Sequence, residues 1–402
     1  MTPRRTVIAA TALLVFGLTG TARAQAVGDP ADARFQLGSF AAAPTIQLTN
    51  TGFDDNVFHD SRPEDRREDV TATVSPAVNA WLRLPAVRLS GRSELDVIYY
   101  RRLTDLRALD TANTGRVELV LNRLAPYVEG EWTSTRHRRN LEIDAPVRRL
   151  TRTATAGADV RITPKLSVGA AVHRSTQEYQ GDTLYLDTDL AHALSFRGSG
   201  ESVRARFAVT PLTTLGVTAT RRRDRFDLAP ERDSTSTWIL PEVEFRPFAL
   251  ISGRAAVGFR SRRFDDGRTP EFRGTSAEVD LRYTLLGRTR FEVGAERDLN
   301  YSYRPGRDYL LTGIRLSVTQ HVSGPWDVQA SIGRSRLVYQ QLQLDAPGTP
   351  EEIVSSVGVG VGFRMGTTRL GVQATRQDRQ SNFSARREYD RLRVTSNLTY
   401  GF

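Results

Sequence analysis

The stretch Arg387–Phe402, REYDRLRVTSNLTYGF, decides how this chain reads. Leu392, Val394, Leu398, Tyr400 and Phe402 share one parity, with Ser396 the small exception; Arg391, Arg393, Thr395, Asn397, Thr399 and Gly401 share the other. A period of two predicts an extended strand with two unlike faces. One such strand fits any half-buried sheet. The same alternation recurs along most of the chain, so the expectation is one large sheet rather than a series of domains.

Upstream, Val70, Ala72 and Val74 alternate with polar residues towards a tight turn at Leu84-Pro85, and Leu89, Leu95, Val97 and Tyr99 continue the pattern. Strands are expected over 44–58, 67–84, 86–101, 112–123, 126–138, 149–162, 165–177, 199–210 and 213–225, with LTDLRALDTANT inside a polar loop. They continue over 235–246, 249–263, 273–285, 289–303, 308–321, 326–340, 351–365, 368–380 and 388–402, about eighteen in all with sixteen to twenty as the range. Short turns such as Thr210-Pro211-Leu212-Thr213 and Leu286-Gly287-Arg288 alternate with longer charged loops such as RHRRNLEIDAPVRR, and the longest spans about Gln177 to Gly198. Short turns at one end and long loops at the other mark a transmembrane antiparallel β-barrel, and an even strand count returns both chain ends to the short-turn side.

The polar parity explains why the sheet is not a soluble sandwich. As a core it would bury Arg92, Glu94, Asp96, Glu129, Glu131, Asp159, Arg161, Arg254, Glu278, Asp280, Arg282, Glu292 and Glu296 together. An unpaired buried charge costs several kcal/mol, so these residues, with Arg393, are expected to line a wet lumen. Leu95, Val257, Val293 and Leu392 are expected to face lipid. Phe245, Phe291, Trp326 and Tyr400 lie near the short-turn ends, and Tyr99, Trp132, Tyr301 and Tyr303 near the loops, as aromatic girdles would. Arg221, Arg297 and Arg376 interrupt the apolar parity near the loop end, where they are expected to reach anionic lipopolysaccharide. A soluble propeller is the competing architecture, but its blade signatures are absent.

The terminal strand resembles the C-terminal signal of bacterial outer-membrane β-barrels, and the resemblance implies that Leu398, Tyr400 and Phe402 are read by the barrel-assembly machinery. At the other end, RFQLGSFAAAPTIQLTNTGFDDNVF from Arg34 resembles the start of a family of outer-membrane β-barrel porins, in which a lead ending in Pro enters a strand that closes on an Asp-Asp-Asn-Val turn, here Asp54–Val57. Residue by residue, Asp and Asn there tolerate tight-turn geometry and bond their own backbone; a calcium loop is the alternative, without EF-hand spacing. The family resemblance implies a Gram-negative outer-membrane location. Part of that family occurs with surface-polysaccharide assembly systems, which adds two readings: an exit for polysaccharide, or a partner of the export apparatus with a plugged lumen.

Residues 1–24 read as a signal peptide: Arg4 and Arg5, the apolar run Val7–Thr19, and Ala22-Arg23-Ala24 before Gln25, with Ala24-Gln25-Ala26 as the other cleavage site. Residues 25–43 then form a short periplasmic lead and 44–402 the barrel. The formal charge of +10 falls by the three arginines of the signal to +7. Lys165 is the only lysine, so the basic balance is arginine dispersed among acids, without a nucleic-acid motif. Mean hydropathy is −0.39, which excludes a bundle of apolar helices, and cysteine is absent.

Enzyme chemistry has weak footing. The five histidines, His59, His137, His173, His192 and His321, show no metal-protease spacing, and no G-x-S-x-G or cofactor motif occurs. His173 and Ser175 share the inner parity of one strand, and Glu129/Glu131, Glu242/Glu244 and Glu278/Asp280 are acids two apart on one face. Both patterns are expected as lumen polarity and ion pairs. A passage for polar solutes is the leading expectation, with an outer-membrane hydrolase the least favoured.

Overall fold

A computed structural model describes residues 33–136, 141–181, 183–246, 250–304, 308–340 and 349–401. The signal peptide, the first part of the lead and Phe402 lie outside the described residues. Strand β1 (Phe35–Leu37) folds back on β2 (Phe40–Asp54). Then follow β3 (Asp69–Arg83), β4 (Val87–Tyr100), β5 (Ala108–Leu119), β6 (Leu124–Thr135), β7 (Arg148–Arg161) and β8 (Leu166–Gln180). A small hairpin, β9 (Leu184–Tyr185) and β10 (Thr188–Asp189), and one helical turn, α1 (Leu190–Leu194), interrupt the ring. It resumes with β11 (Phe196–Thr210), β12 (Thr213–Phe226), β13 (Ser234–Phe245), β14 (Ile251–Phe264), β15 (Phe272–Leu285) and β16 (Thr289–Tyr301). It ends with β17 (Asp308–Ser323), β18 (Trp326–Gln340), β19 (Glu351–Met365), β20 (Thr368–Ser381) and β21 (Tyr389–Gly401).

Strands β2–β8 and β11–β21 make a closed antiparallel barrel of eighteen strands. Each pairs with its chain neighbours, and β2 pairs with β21 from Thr45↔Gly401 to Asp54↔Arg393. Closure leaves no strand edge in lipid, where an unpaired backbone group would cost several kcal/mol. No helix among the described residues is long and apolar enough to cross a membrane.

Two expected spans shift by four residues. The first strand runs over Phe40–Asp54 because Phe40–Ala43 already pair with Leu82–Asn79, and it stops when the Asn56 N–H donates to Asp54 Oδ1 at 3.3 Å. Asn56 Oδ1 in turn accepts from the Asp60 N–H at 2.8 Å, the self-bonding expected of this turn. The fourth strand begins at Ala108, so seven of the twelve residues of LTDLRALDTANT are strand. Its polarity reads as loop, but Asp110 is buried on the inner face and accepts from the Arg136 N–H at 2.6 Å.

The faces follow parity. Val203, Val257, Phe259, Ile314, Ile332, Val359 and Leu392 are exposed, Val257 by 55% and Phe259 by 73%, so the apolar surface is outside. A water-soluble monomer rarely exposes apolar patches beyond a few hundred Å²; an acyl-chain solvent removes the objection. Arg297 sits on this outer parity, held by Thr275 Oγ1 at 2.9 Å and Thr312 Oγ1 at 2.7 Å.

One irregularity matters for the interior. The β2 register slips between Leu48 and Thr51, and Asn50 takes a positive φ of 52°. Asn tolerates this conformation, and the bulge turns its side chain to Arg393, whose Nη2 donates to Asn50 Oδ1 at 2.6 Å. Gly52 completes the bulge, where a Cβ would overlap the Val394 carbonyl.

This face assignment predicts different costs for one substitution at two sites. Val257→Arg, mid-strand and outward, should lower folding stability in bilayers by about 2–4 kcal/mol. Ser356→Arg, which lines the lumen, should fold normally. Urea titration of vesicle-inserted protein checks it; the reverse order would mean that the register is inverted.

Candidate functional site

The sequence-derived lumen residues all fall on the inner parity, and several of them form ion pairs, along one strand or across strands. Arg92 donates to Glu94 Oε2 at 2.7 Å, Arg116 to Glu129 at 3.3 Å, Arg204 to Asp159 at 3.4 Å, and Arg282 to Glu292 Oε1 at 2.9 Å. Arg254 meets Glu242 at 2.5 Å. Asp280 lies across from Arg254, and Glu278 from Glu296, in the ladder. Asp96 stands opposite Asp110, and Glu131 opposite Thr114 and Thr153. Arg161 is exposed at the short-turn end of β7. Leu398 and Tyr400 pair with Leu48 and Ile46 across the closing seam.

Not all of these residues share one space. A cavity of about 1090 Å³ takes in Arg254, Asp280, Arg282, Glu292 and Arg393, but Arg92, Glu94, Glu129 and Glu131 lie outside its lining. It also recruits arginines that the sequence reading passed over: Arg204, Arg206, Arg315, Arg369 and Arg391. Eight arginines thus face four carboxylates, Glu242, Glu244, Asp280 and Glu292. The carboxylates sit on β13, β15 and β16; the wall made by β20, β21 and β2 carries Arg369, Arg391 and Arg393 among Gln, Asn and Thr side chains.

Above the cavity, the loop after β6 crosses the mouth. Leu141 packs against Tyr309, Leu311, Leu337, Tyr339 and Val354, and Ile143 against Leu190, Ala193, Leu194 and Tyr303. Strand β18 stands half-way round the eighteen-strand ring from β7, so residues 141–147 reach from β7 to the far side of the ring. Four other loops hold it. Arg387 Nη2 donates to the Glu142 carbonyl at 2.7 Å, and Arg379 Nη1, from the end of β20, to that of Leu141 at 2.6 Å. The Tyr303 N–H donates to Glu142 Oε2 at 3.3 Å, and Ser302 Oγ donates to Oε1. The Asp144 N–H donates to Tyr185 Oη at 3.2 Å, while the Asp144 carboxylate meets His59.

The knot beneath this strap is ionic and dry. Glu352, fully buried, accepts from Arg379 and Arg387 and from Tyr339 Oη at 2.9 Å. Arg387 also donates to Tyr185 Oη and Tyr303 Oη, each at 3.0 Å. Burial pushes the Glu142 carboxyl up to about 7, helped by the nearby Glu352 charge and opposed by Ser302, Arg387 and the Tyr303 N–H. Sequence reading missed Glu142, Glu352, Arg379 and Arg387. The available signal was Leu141 and Ile143, apolar residues inside an otherwise charged loop.

His173 and Ser175 do not form a pair. Ser175 Oγ accepts from Arg222 Nη2 at 3.3 Å, and the nearby Asp224 is bound by Arg222 at 2.7 Å and by Tyr301 Oη at 2.8 Å. Among the described residues, no cluster of metal-ligating side chains occurs.

The sequence profile of the family described as "Putative beta-barrel porin 2" matches residues 29–402. No curated protein matches the sequence. Among solved structures, the chain is similar to OccK2 (OpdF) of Pseudomonas aeruginosa in complex with glucuronate, at 13% identity over 90% of this chain and 98% of that one, with a TM-score of 0.51. OccAB3 of Acinetobacter baumannii gives 10% identity, 90% and 99% coverage, and a TM-score of 0.49. A bacterial polysaccharide outer membrane secretin gives 11%, 91% and 100%, and 0.37. The likeness to OccK2 supports the fold and nothing finer; the other two carry no argument.

The strap makes two predictions. Arg387→Ala strands the buried Glu352 beside Arg379 alone, and breaking a buried pair costs about 3–5 kcal/mol. Amide hydrogen exchange of residues 141–144 should therefore accelerate while the barrel strands stay protected; unchanged exchange would exclude Arg387 as the tie. The second concerns pH. Glu142 keeps its proton up to about 7 when the strap is docked but releases it near 4.5 when free. Docking is thus fully supported below the lower value and weakens as pH rises through the upper one. Exchange in this loop, corrected for intrinsic rates, should rise between about pH 5 and pH 8, and Glu142→Gln should flatten the profile.

Proposed function

This chain belongs to the "Putative beta-barrel porin 2" family and is a porin-like barrel of the outer membrane, and we propose that it passes polar solutes through a lumen narrowed by the 141–147 strap. The observation that carries the reading is the water-compatible cavity of about 1090 Å³ enclosed by the wall and lined by charged and amide side chains. An eighteen-strand barrel is wide enough for an aqueous path, and the paired charges keep its wall polar without leaving each ion unmatched. Solutes would meet the strap at the long-loop mouth and the cavity below it. Mature protein would begin after signal cleavage. Its last strand, with Leu398, Tyr400 and Phe402, would engage the barrel-assembly machinery, and Arg221, Arg297 and Arg376 would meet lipopolysaccharide.

Planar-bilayer recording tests this directly. The full chain should show unit conductance steps in potassium chloride, and replacing Leu141–Asp144 by Gly-Ser residues should enlarge them. If neither protein conducts, the conduit reading is lost. Mass spectrometry of outer-membrane fractions should find an N-terminus at Gln25 or Val27; an intact Met1 would refute cleavage.

A further inference from the structure

At the short-turn end of the barrel, exposed cations outnumber the acids available to them. Arg83 and Arg161 end β3 and β7, and Arg123, Lys165, Arg246 and Arg288 stand in the turns; all six are exposed. Among the described residues, none of the six has a carboxylate within ion-pair reach, because the acids at this end are engaged elsewhere. Glu118 binds Arg88 and Arg116, Asp159 binds Arg204, Asp327 binds Arg364 and Arg369, and Glu244 lines the cavity. Beside these cations stand apolar side chains that the fold leaves uncovered. Leu84, Leu121 and Ile162 continue the lipid-facing parity of Val78, Leu119 and Val160, and Leu286 sits 87% exposed at a turn tip with a φ of 50°. Arg83, Arg123, Arg161 and Arg288 are thus one or two residues from an exposed Leu or Ile. Successive Cα atoms are about 3.8 Å apart, so each guanidinium stands just past the hydrocarbon edge that its apolar neighbour marks.

We propose that this rim binds the headgroups of anionic phospholipids of the inner leaflet, phosphatidylglycerol among them. The short turns of outer-membrane barrels face the periplasm, and the leaflet on that side is phospholipid rather than lipopolysaccharide. Arg and Lys side chains reach from apolar surroundings to the headgroup level, and a guanidinium forks onto phosphate oxygens. Each basic residue near an anionic lipid surface strengthens attachment about fivefold. An acidic periplasmic protein fits this surface less well: the turns at 84–86, 120–123, 162–165 and 286–288 hold no aromatic anchor, and their exposed side chains are those that acyl chains would cover. The turns at 323–325 and 366–367 hold no charged residue, so the lipid contacts gather on the β3–β8 and β13–β16 sectors. The inference holds whether or not the lumen conducts.

The test is amide hydrogen exchange on the folded full chain in nanodiscs of dioleoylphosphatidylglycerol, compared with nanodiscs of dioleoylphosphatidylcholine, whose tails are the same. Exchange in the turns at 84–86, 120–123 and 286–288 should slow at least about threefold more in phosphatidylglycerol than in the uncharged turns at 323–325 and 366–367. The variant Arg83→Gln/Arg123→Gln should lose the effect at 84–86 and 120–123 and keep it at 286–288. If that variant fails to fold, the comparison of the two lipids on the unmodified protein needs no variant. Equal slowing of charged and uncharged turns, or full slowing in the folded variant, would overturn the lipid site. Poly-L-glutamate added to the phosphatidylcholine discs supplies the competing case. If it slows the charged turns while phosphatidylglycerol does not, the rim takes an acidic polymer of the periplasm and the lipid proposal is lost.

Discussion

A strand edge in hydrocarbon cannot be tolerated, and from that constraint the rest of the molecule follows. Each exposed N–H and C=O there costs several kcal/mol, so the ring must close, and it closes where β2 meets β21. Closure makes every strand two-sided in the same sense, lipid outside and lumen inside. It also places the bulge at Asn50 beside Arg393, so that the joint is a polar contact of the lumen as well as a backbone seam.

The interior solves the problem that closure creates. Charges on neighbouring strands come opposite or diagonal to one another, and Arg282–Glu292, directly opposite, and Arg254–Glu242, diagonal, are the products. Such pairs lower the cost of lining a narrow space with ions more than they add stability. The mouth is handled differently. There the inner faces of β17–β19 turn apolar, and the strap covers them with Leu141 while the buried Glu352–Arg379–Arg387 knot fixes its position. A hydrophobic contact gives the strap its energy; the ionic knot gives it one place to sit.

Glu142 links that knot to solution conditions. Its carboxyl is buried next to another, so it holds a proton that a solvated acid would release. Packing of the strap is therefore expected to weaken as pH rises.

Much of this was legible in the chain itself. Parity in REYDRLRVTSNLTYGF and its repeats set out the strands, their number and both faces, because the period of two is a local property of an extended backbone. Asp54 and Asn56 announced their turn through their own side-chain chemistry, also local. Asp110 was misread as loop because a charge at the top of a strand looks like polarity until Arg136 is seen above it. What only the tertiary structure decided is which charges meet and which loop turns inward. Glu142 and Arg387 are 245 residues apart, and Arg391 and Asp54 are 337 apart. No periodicity in a sequence encodes separations of that kind; they are fixed by the strand count and by the barrel diameter across which the strap has to reach.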